Sequence, residues 1–216
     1  VVECMSVNPE YQWICEHRFV HATVGVITNS RLDHILEMGP TIENVTRSLC
    51  NTLPANGIAF TSEEKMFWLM RRQARKVNCK LFYADAASVS FAELSKFDHI
   101  EHADNVALAL SVCEHYGVPR QVALEGMYRS HPDAGALRIY EVREGEKVIR
   151  FVHALAANDP ESTLAIWQRV KGLSNDLGTV FVLLNTRADR YDRTIQLLEM
   201  VQAGMSDDFS YLFLMG

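Results

Sequence analysis

What most limits the fold of this chain is an alternation. Short, mostly apolar runs, TVGVIT at 23–28, GIAFT at 57–61, CKLFYAD at 79–85 and GTVFVLLN at 178–185, are separated by stretches with helical spacing. A strand that is apolar on both faces is buried on both, which is the situation of parallel strands whose crossovers are helices. The intervening segments supply those helices. One opens at Pro9 and Glu10 with Tyr11, Ile14, Cys15 and Phe19 on one face, and one covers 41–53 with Ile42, Val45 and Leu49. Another starts at Thr61, where Glu64 completes the spacing of a capping box ahead of Met66, Leu69, Met70 and Val77. The fold class is therefore α/β, with mostly parallel sheets flanked by helices. The first residues, VVECM, and the last, YLFLMG, read as buried strands in the same way. Domains seldom begin and end inside a core strand, so the 216 residues are expected to be a fragment lacking sequence at both ends.

The alternation breaks once. Residues 104–129 read as two consecutive helices, the first capped by Asp104 or Asn105 and ended by Gly117, the second started by Pro119. Loop chemistry and a hairpin turning at Glu144 to Glu146 follow, which places a domain boundary near residue 136 and gives domains 1–136 and 137–216. The second domain resumes with strand VIRFVHALA, a helix from Pro160 to Lys171, strand GTVFVLLN, a helix from about Asp189 to Val201, and the final strand.

Composition excludes several classes of function. Hydrophobic residues at 48% and charged residues at 22% rule out a disordered chain. A formal charge of −6 with no Lys/Arg-rich block lacks the footprint of a protein that tracks a phosphate backbone, so nucleic acid is not an expected partner. No apolar run is long enough to span a membrane, and the first residues lack a signal-peptide pattern. The five cysteines are odd in number and scattered, as expected of reduced core residues in a cytosolic compartment.

In an open parallel sheet, ligands sit outside the carboxyl ends of the strands. The turns there hold Glu3 after VVECM, Asn29 to His34 after TVGVIT, Asn158 and Asp159 in the second domain, and Asn185 to Arg193 after VFVLLN. A carboxylate at the end of an apolar strand is costly unless a cation compensates it, and Mg2+ would compensate Glu3; a solvated strand end is the plain alternative. Asp33-His34 can hold a metal or steer a phosphate oxygen, or can be a surface turn. Asp159 is suited to capping the helix that begins at Pro160. Arg187, Arg190 and Arg193, interleaved with Asp189 and Asp192, suit planar recognition of carboxylate or phosphate, or a salt-bridged helix start.

The collinear strings ECMSVNPEYQ, LDHILEMGPT, HADNVALAL, DAGALRI, AANDPESTLAIW and NTRADRYDRT resemble one family, the B subunit of poly-γ-glutamate synthase, a capsule-synthesis ligase of the Mur ligase superfamily. The resemblance implies a Mur-ligase-like central ATPase-type domain, here without its phosphate-loop portion, followed by the start of a Rossmann-like ligase domain. It further implies an ATP-dependent amide ligase working with Mg2+, in which a glutamate γ-carboxylate is activated as an acyl phosphate and captured by another glutamate's amine. By position within the motifs, Glu3 would bind Mg2+ and His34 a second metal or metal-bound water. Asn105 would contact the nucleotide, Arg138 the ATP phosphates and Asp159 the ribose, with Asn158, Arg187, Asp189 and Arg190 on the acidic substrate. The partners implied are glutamate, the growing polyglutamate and membrane subunits of a synthase complex at the cytoplasmic side of the membrane.

Three departures accompany the resemblance. No Gly-rich loop ending in Gly-Lys-Ser/Thr occurs, Ile35-Leu36 follows His34 where the family continues Met-Asp, and no lysine lies between His34 and Lys65. Another Mur-type ligase, or a nucleotide-binding scaffold without catalysis, remains an alternative. Because the β- and γ-phosphates have no cradle here, the 216 residues alone are expected to show no ATP-dependent ligation; glutamate-dependent ADP release by the purified chain would contradict this.

Overall fold

A computed structural model describes residues 1–99, 101–130, 137–155, 157, 159–172, 177–186 and 191–216, leaving aside the side chain of Asp192. Contacts divide the chain into two units, Val1–Asp133 and Ala134–Gly216.

The first unit is built on three parallel strands, β1 (Val24–Ile27), β2 (Ile58–Thr61) and β3 (Lys80–Tyr83), in the order β1-β2-β3. The central position of β2 explains its composition, since alternate residues must satisfy two different cores. Phe60 points into a cluster with Val106, Ala107, Leu110 and Leu124, contributed by α6 (Ala103–His115) and α7 (Arg120–Tyr128). Ala59 points the other way, among Ile27, Leu53, Met70 and Ala74. That second layer comes from α3 (Ile42–Leu49) with the 3-10 turn Cys50–Thr52 after it, and from α4 (Phe67–Lys76). α1 (Pro9–Ile14) continues as a π-helical turn, Cys15–Val20, while α2 (Ile35–Met38) and α5 (Phe91–Leu94) are short. The chain enters α1 through Asn8, whose Oδ1 accepts from Glu10 N at 2.9 Å, with Pro9 supplying the preset first φ. Gln12, only 2% exposed, donates to the Ser6 carbonyl at 3.1 Å and accepts from Ser48 Oγ at 2.7 Å, so it ties the first residues to α3.

The second unit contains the expected hairpin: β4 (Arg138–Glu144) and β5 (Lys147–His153) pair antiparallel, turning at Gly145 with φ +60°. α8 (Pro160–Gly172), β6 (Phe181–Asn185), α9 (Tyr191–Gly204) and β7 (Tyr211–Met215) follow, with β6 and β7 parallel. Leu197, Met200, Val201 and Met205 pack with Leu164, Trp167, Val182 and Leu184. Trp167 and Lys171 both donate to the Asp208 carboxylate, at 2.8 and 2.7 Å, which fixes the turn before β7 onto α8 and holds that carboxyl below its usual range.

Five expectations are corrected. YLFLMG does form a strand, β7, but its residues Tyr211–Met215 are exposed rather than buried. VVECM is not a strand: Val1, Val2 and Met5 are exposed and the segment joins no ladder, because an apolar run becomes a strand only where a partner takes its hydrogen bonds. Thr61 and Glu64 do not form a capping box, because Thr61 is fully buried as the last residue of β2 and α4 begins only at Phe67. Neither Asp104 nor Asn105 caps α6; its N-cap is His102, whose N–H donates to Glu101 Oε1 at 2.8 Å. The cysteines are all free, but Cys4 is exposed rather than in the core. Burial raises the Cys50 thiol to about 12 and the Cys79 thiol to about 11, which removes both as nucleophiles near neutrality. Among the described residues no helix is long and apolar enough to cross a membrane.

An ion pair joins separate elements of the first unit. Arg120 donates to both oxygens of Glu93, at 2.9 and 3.1 Å, and to the Ser88 carbonyl at 2.9 Å, linking the start of α7 to α5. The Arg120 guanidinium, with the Ser90 N–H and hydroxyl, holds the Glu93 carboxyl down at about 2. A depressed carboxylate contributes stability above its unfolded value that is lost as pH falls toward the folded one. The melting temperature of Arg120→Ala is therefore expected to lie below that of the parent at pH 7, with the gap closing as pH falls from about 5 toward 2. Circular dichroism melts across that range check this, and a gap that stays constant would contradict it.

Candidate functional site

The parallel register sets Ile27, Thr61 and Tyr83 level at the carboxyl edge of the sheet. The segments leaving the three strands are Thr28 to His34, Ser62 to Met66, and Ala84 to Asp85. The first two are bonded to each other. Ser62 Oγ donates to the Thr28 carbonyl at 2.8 Å, and Ser30 N donates to Glu63 Oε2 at 2.8 Å. The other carboxylate oxygen of Glu63 accepts from Met66 N at 3.0 Å, ahead of α4. Glu63 is 7% exposed and Ser30 4%, so a buried carboxylate joins two loops through charge-assisted bonds to backbone donors.

Asp33 and His34 end the first of these loops. His34 sits in the left-handed region at φ +50° and its N–H donates to Asp33 Oδ1 at 2.9 Å. Its Nε2 lies 3.6 Å from Asp33 Oδ2, with the imidazole half-buried. The end of β3 reports the local field: burial pushes the Tyr83 hydroxyl up, and Glu64, Asp85, Asp104 and Glu63 push it further. Carboxylates from two of these loops and from the first turn of α6 thus act on one phenol.

Glu3, by contrast, lies exposed in the segment before α1, so desolvation does not drive it toward a cation. Asn105 is in the first turn of α6, its Nδ2 donating to Glu101 Oε1 at 3.1 Å. In the second unit Arg138 is the exposed first residue of β4, paired in register with His153. Asp159 does cap its helix: Oδ1 accepts from Ser162 N at 2.8 Å and Oδ2 from Ser162 Oγ at 2.6 Å. Asn158, Arg187, Asp189 and Arg190 lie outside the described residues.

Sequence reasoning missed Glu63, Ser30 and Tyr83. Glu63 was legible in principle, as an acid two residues beyond a buried strand, but helical spacing assigned that stretch to a helix start. Among the described residues no three His, Cys, Asp or Glu side chains are grouped to hold a metal ion. A sparse oxygen and imidazole donor set beside these carboxylates fits magnesium, which keeps its waters and binds through one or two carboxylates plus substrate phosphates. A depression of about 500 Å³ lies at the other edge, around His21, Thr23, Asn56, Gly57 and His115 at the amino ends of β1 and β2. None of the acids that act on Tyr83 lines it.

Comparison with known proteins places this geometry. The chain is 40% identical over 196 residues to the capsule biosynthesis protein CapB of Bacillus anthracis, covering 91% of the chain and 42% of that protein. It is 37% identical over the same length to the PGA synthase CapB of Bacillus subtilis (strain 168), covering 91% and 50%. Residues 139–216 match the model of the poly-gamma-glutamate synthase CapB C-terminal domain. Over most of its length this chain is similar to CapB proteins. It spans about half the length of the curated CapB relatives it matches. Solved structures similar to this chain include folylpolyglutamate synthases, which gives it a Mur-ligase-like fold. FolC of E. coli, in complex with DHPP and ADP, has a TM-score of 0.60 at 18% identity, over 91% of this chain and 59% of FolC. A bifunctional folylpolyglutamate synthase/dihydrofolate synthase with Mn, AMPPNP and L-glutamate bound has a TM-score of 0.60 at 17% identity, over 83% and 46%.

Proposed function

We propose that this chain is part of an ATP-dependent ligase that joins glutamate units through the γ-carboxylate. The γ-carboxylate oxygen attacks the γ-phosphorus of ATP, the bond to the β-phosphate oxygen breaks, and ADP leaves a γ-glutamyl phosphate. The amine of a second glutamate then attacks the acyl carbon, phosphate departs with the bonding pair, and the amine proton passes to a base or water. One observation carries the reading: the loop bearing Asp33 and His34 is held at the carboxyl edge, beside a field of carboxylates, in a chain 37–40% identical to CapB proteins. The ADP and AMPPNP named in the folylpolyglutamate synthase structures support nucleotide use, and their lower identity supports fold rather than a folate substrate.

In this reading residues 1–136 form part of the ATPase-type central domain and 137–216 begin the ligase domain. Glu3 and His34 hold the divalent ion or its water, and the ion supplies charge neutralisation at the transferring phosphoryl group when bound. Asn105 orients the nucleotide and Arg138 reaches its phosphates. Asp159, whose oxygens each keep a lone pair beyond the Ser162 bonds, reaches the ribose. Asn158, Arg187, Asp189 and Arg190 recognise the anionic acceptor, for which guanidinium forks suit carboxylates. Glutamate and growing polyglutamate are the substrates, and the protein works with membrane subunits on the cytoplasmic face.

In the full-length protein, Glu3→Ala is expected to lower Mg2+-dependent glutamate ligation by about 100-fold or more, the scale on which loss of one charge-stabilising group acts. Its melting temperature should stay unchanged, because Glu3 is exposed. Coupled ADP release with a parallel thermal melt checks both, and parental turnover would remove Glu3 from the metal site.

A further inference from the structure

We infer that Glu63 is a positioning residue: its buried carboxylate fixes the loop that presents Asp33 and His34 at the carboxyl edge. This rests on the proposed role of His34 only for its effect on metal binding; the anchoring itself stands on the geometry alone.

The loop from Thr28 to His34 is tied to the segment after β2 by two bonds. One is the Ser62 hydroxyl on the Thr28 carbonyl, at the end of the loop nearer β1. Glu63 takes the Ser30 N–H, two residues further along and 33 residues distant in sequence. A charged acceptor on a buried donor is the strongest bond such a loop can make with a side chain. Its second oxygen is committed to Met66 N, and its own N–H donates to Thr61 Oγ1 at 3.1 Å. Thr61, at 0% exposure, is in turn fixed in the central strand. The carboxylate is thus held from two sides before it reaches Ser30, so it transmits the position of β2 to the loop rather than following the loop. Ser30 Oγ is itself buried without a hydrogen-bond partner among the described residues, so the hydroxyl does not substitute for the bond made by the amide. His34 adopts a left-handed backbone that costs a non-glycine residue energy and persists only where neighbouring structure imposes it.

The substitution that isolates this role is Glu63→Asp. An aspartate still reaches the N–H three residues on, as helix-capping aspartates do, but is one methylene too short to keep Ser30 as well. In the full-length protein, peptides spanning 28–34 should exchange backbone hydrogens about tenfold faster in Glu63→Asp, the scale of losing a charged acceptor on a buried donor, with peptides from β2 unchanged. Mn2+ binding, read by electron paramagnetic resonance with a non-hydrolysable ATP analogue, should weaken by about tenfold, within the range seen when a group supporting a ligand is removed. His34→Ala should weaken Mn2+ without faster exchange. Glu63→Ala serves as a second variant and should accelerate exchange at both Ser30 and Met66. Unchanged exchange in peptides 28–34 of both Glu63 variants would overturn the inference. So would weaker Mn2+ binding in His34→Ala with parental binding in Glu63→Asp. Faster exchange with parental Mn2+ binding in Glu63→Asp and His34→Ala alike would support the anchoring and count against the metal role of His34 instead.

Discussion

The structure of the first unit depends on one constraint, the parallel register that sets Ile27, Thr61 and Tyr83 side by side. Parallel pairing needs a crossover between every two strands, so each strand must leave the sheet at the same edge. Burial of β2 on both faces holds that register, since a slip of one residue would exchange Phe60 and Ala59 between cores of different volume. The polar loops inherit their location from this packing. Ser62, Glu63 and Ser30 meet because β1 and β2 end level, not because the loops have a conformation of their own.

Electrostatics at that edge follows from the same register. Glu63, Glu64 and Asp85 arrive at the ends of adjacent strands, and Asp104 arrives from the start of α6, whose apolar face is packed on Phe60. Glu63 is neutralised locally by two backbone donors, which leaves the others to shape the potential.

Much of the fold was legible because the alternation of apolar runs and amphipathic segments is a direct imprint of burial. TVGVIT, GIAFT and CKLFYAD became β1, β2 and β3, and the hairpin turned at Gly145 where a left-handed residue is needed. Failures came where one pattern has two physical outcomes. VVECM has the composition of a strand but no ladder partner, and Thr61 has the chemistry of a cap but is consumed by the central strand. At the candidate site, the general rule about carboxyl edges was enough to find Asp33 and His34. It could not find Glu63, whose significance is a bond to Ser30 that exists only once two loops are brought together in space. Asp159 was legible as a cap because capping is local and needs only the residues that follow it.

The central claim is that the carboxyl edge of the β1-β2-β3 sheet faces the metal–nucleotide complex. It is tested most directly by paramagnetic broadening of backbone resonances in the isotopically labelled full-length protein, on adding Mn2+ with a non-hydrolysable ATP analogue. Broadening strongest at Thr28 to His34 and Ser62 to Lys65 is the expected result. Broadening strongest at His21 to Val24 and Asn56 to Ile58, around the depression at the amino edge, would contradict the account.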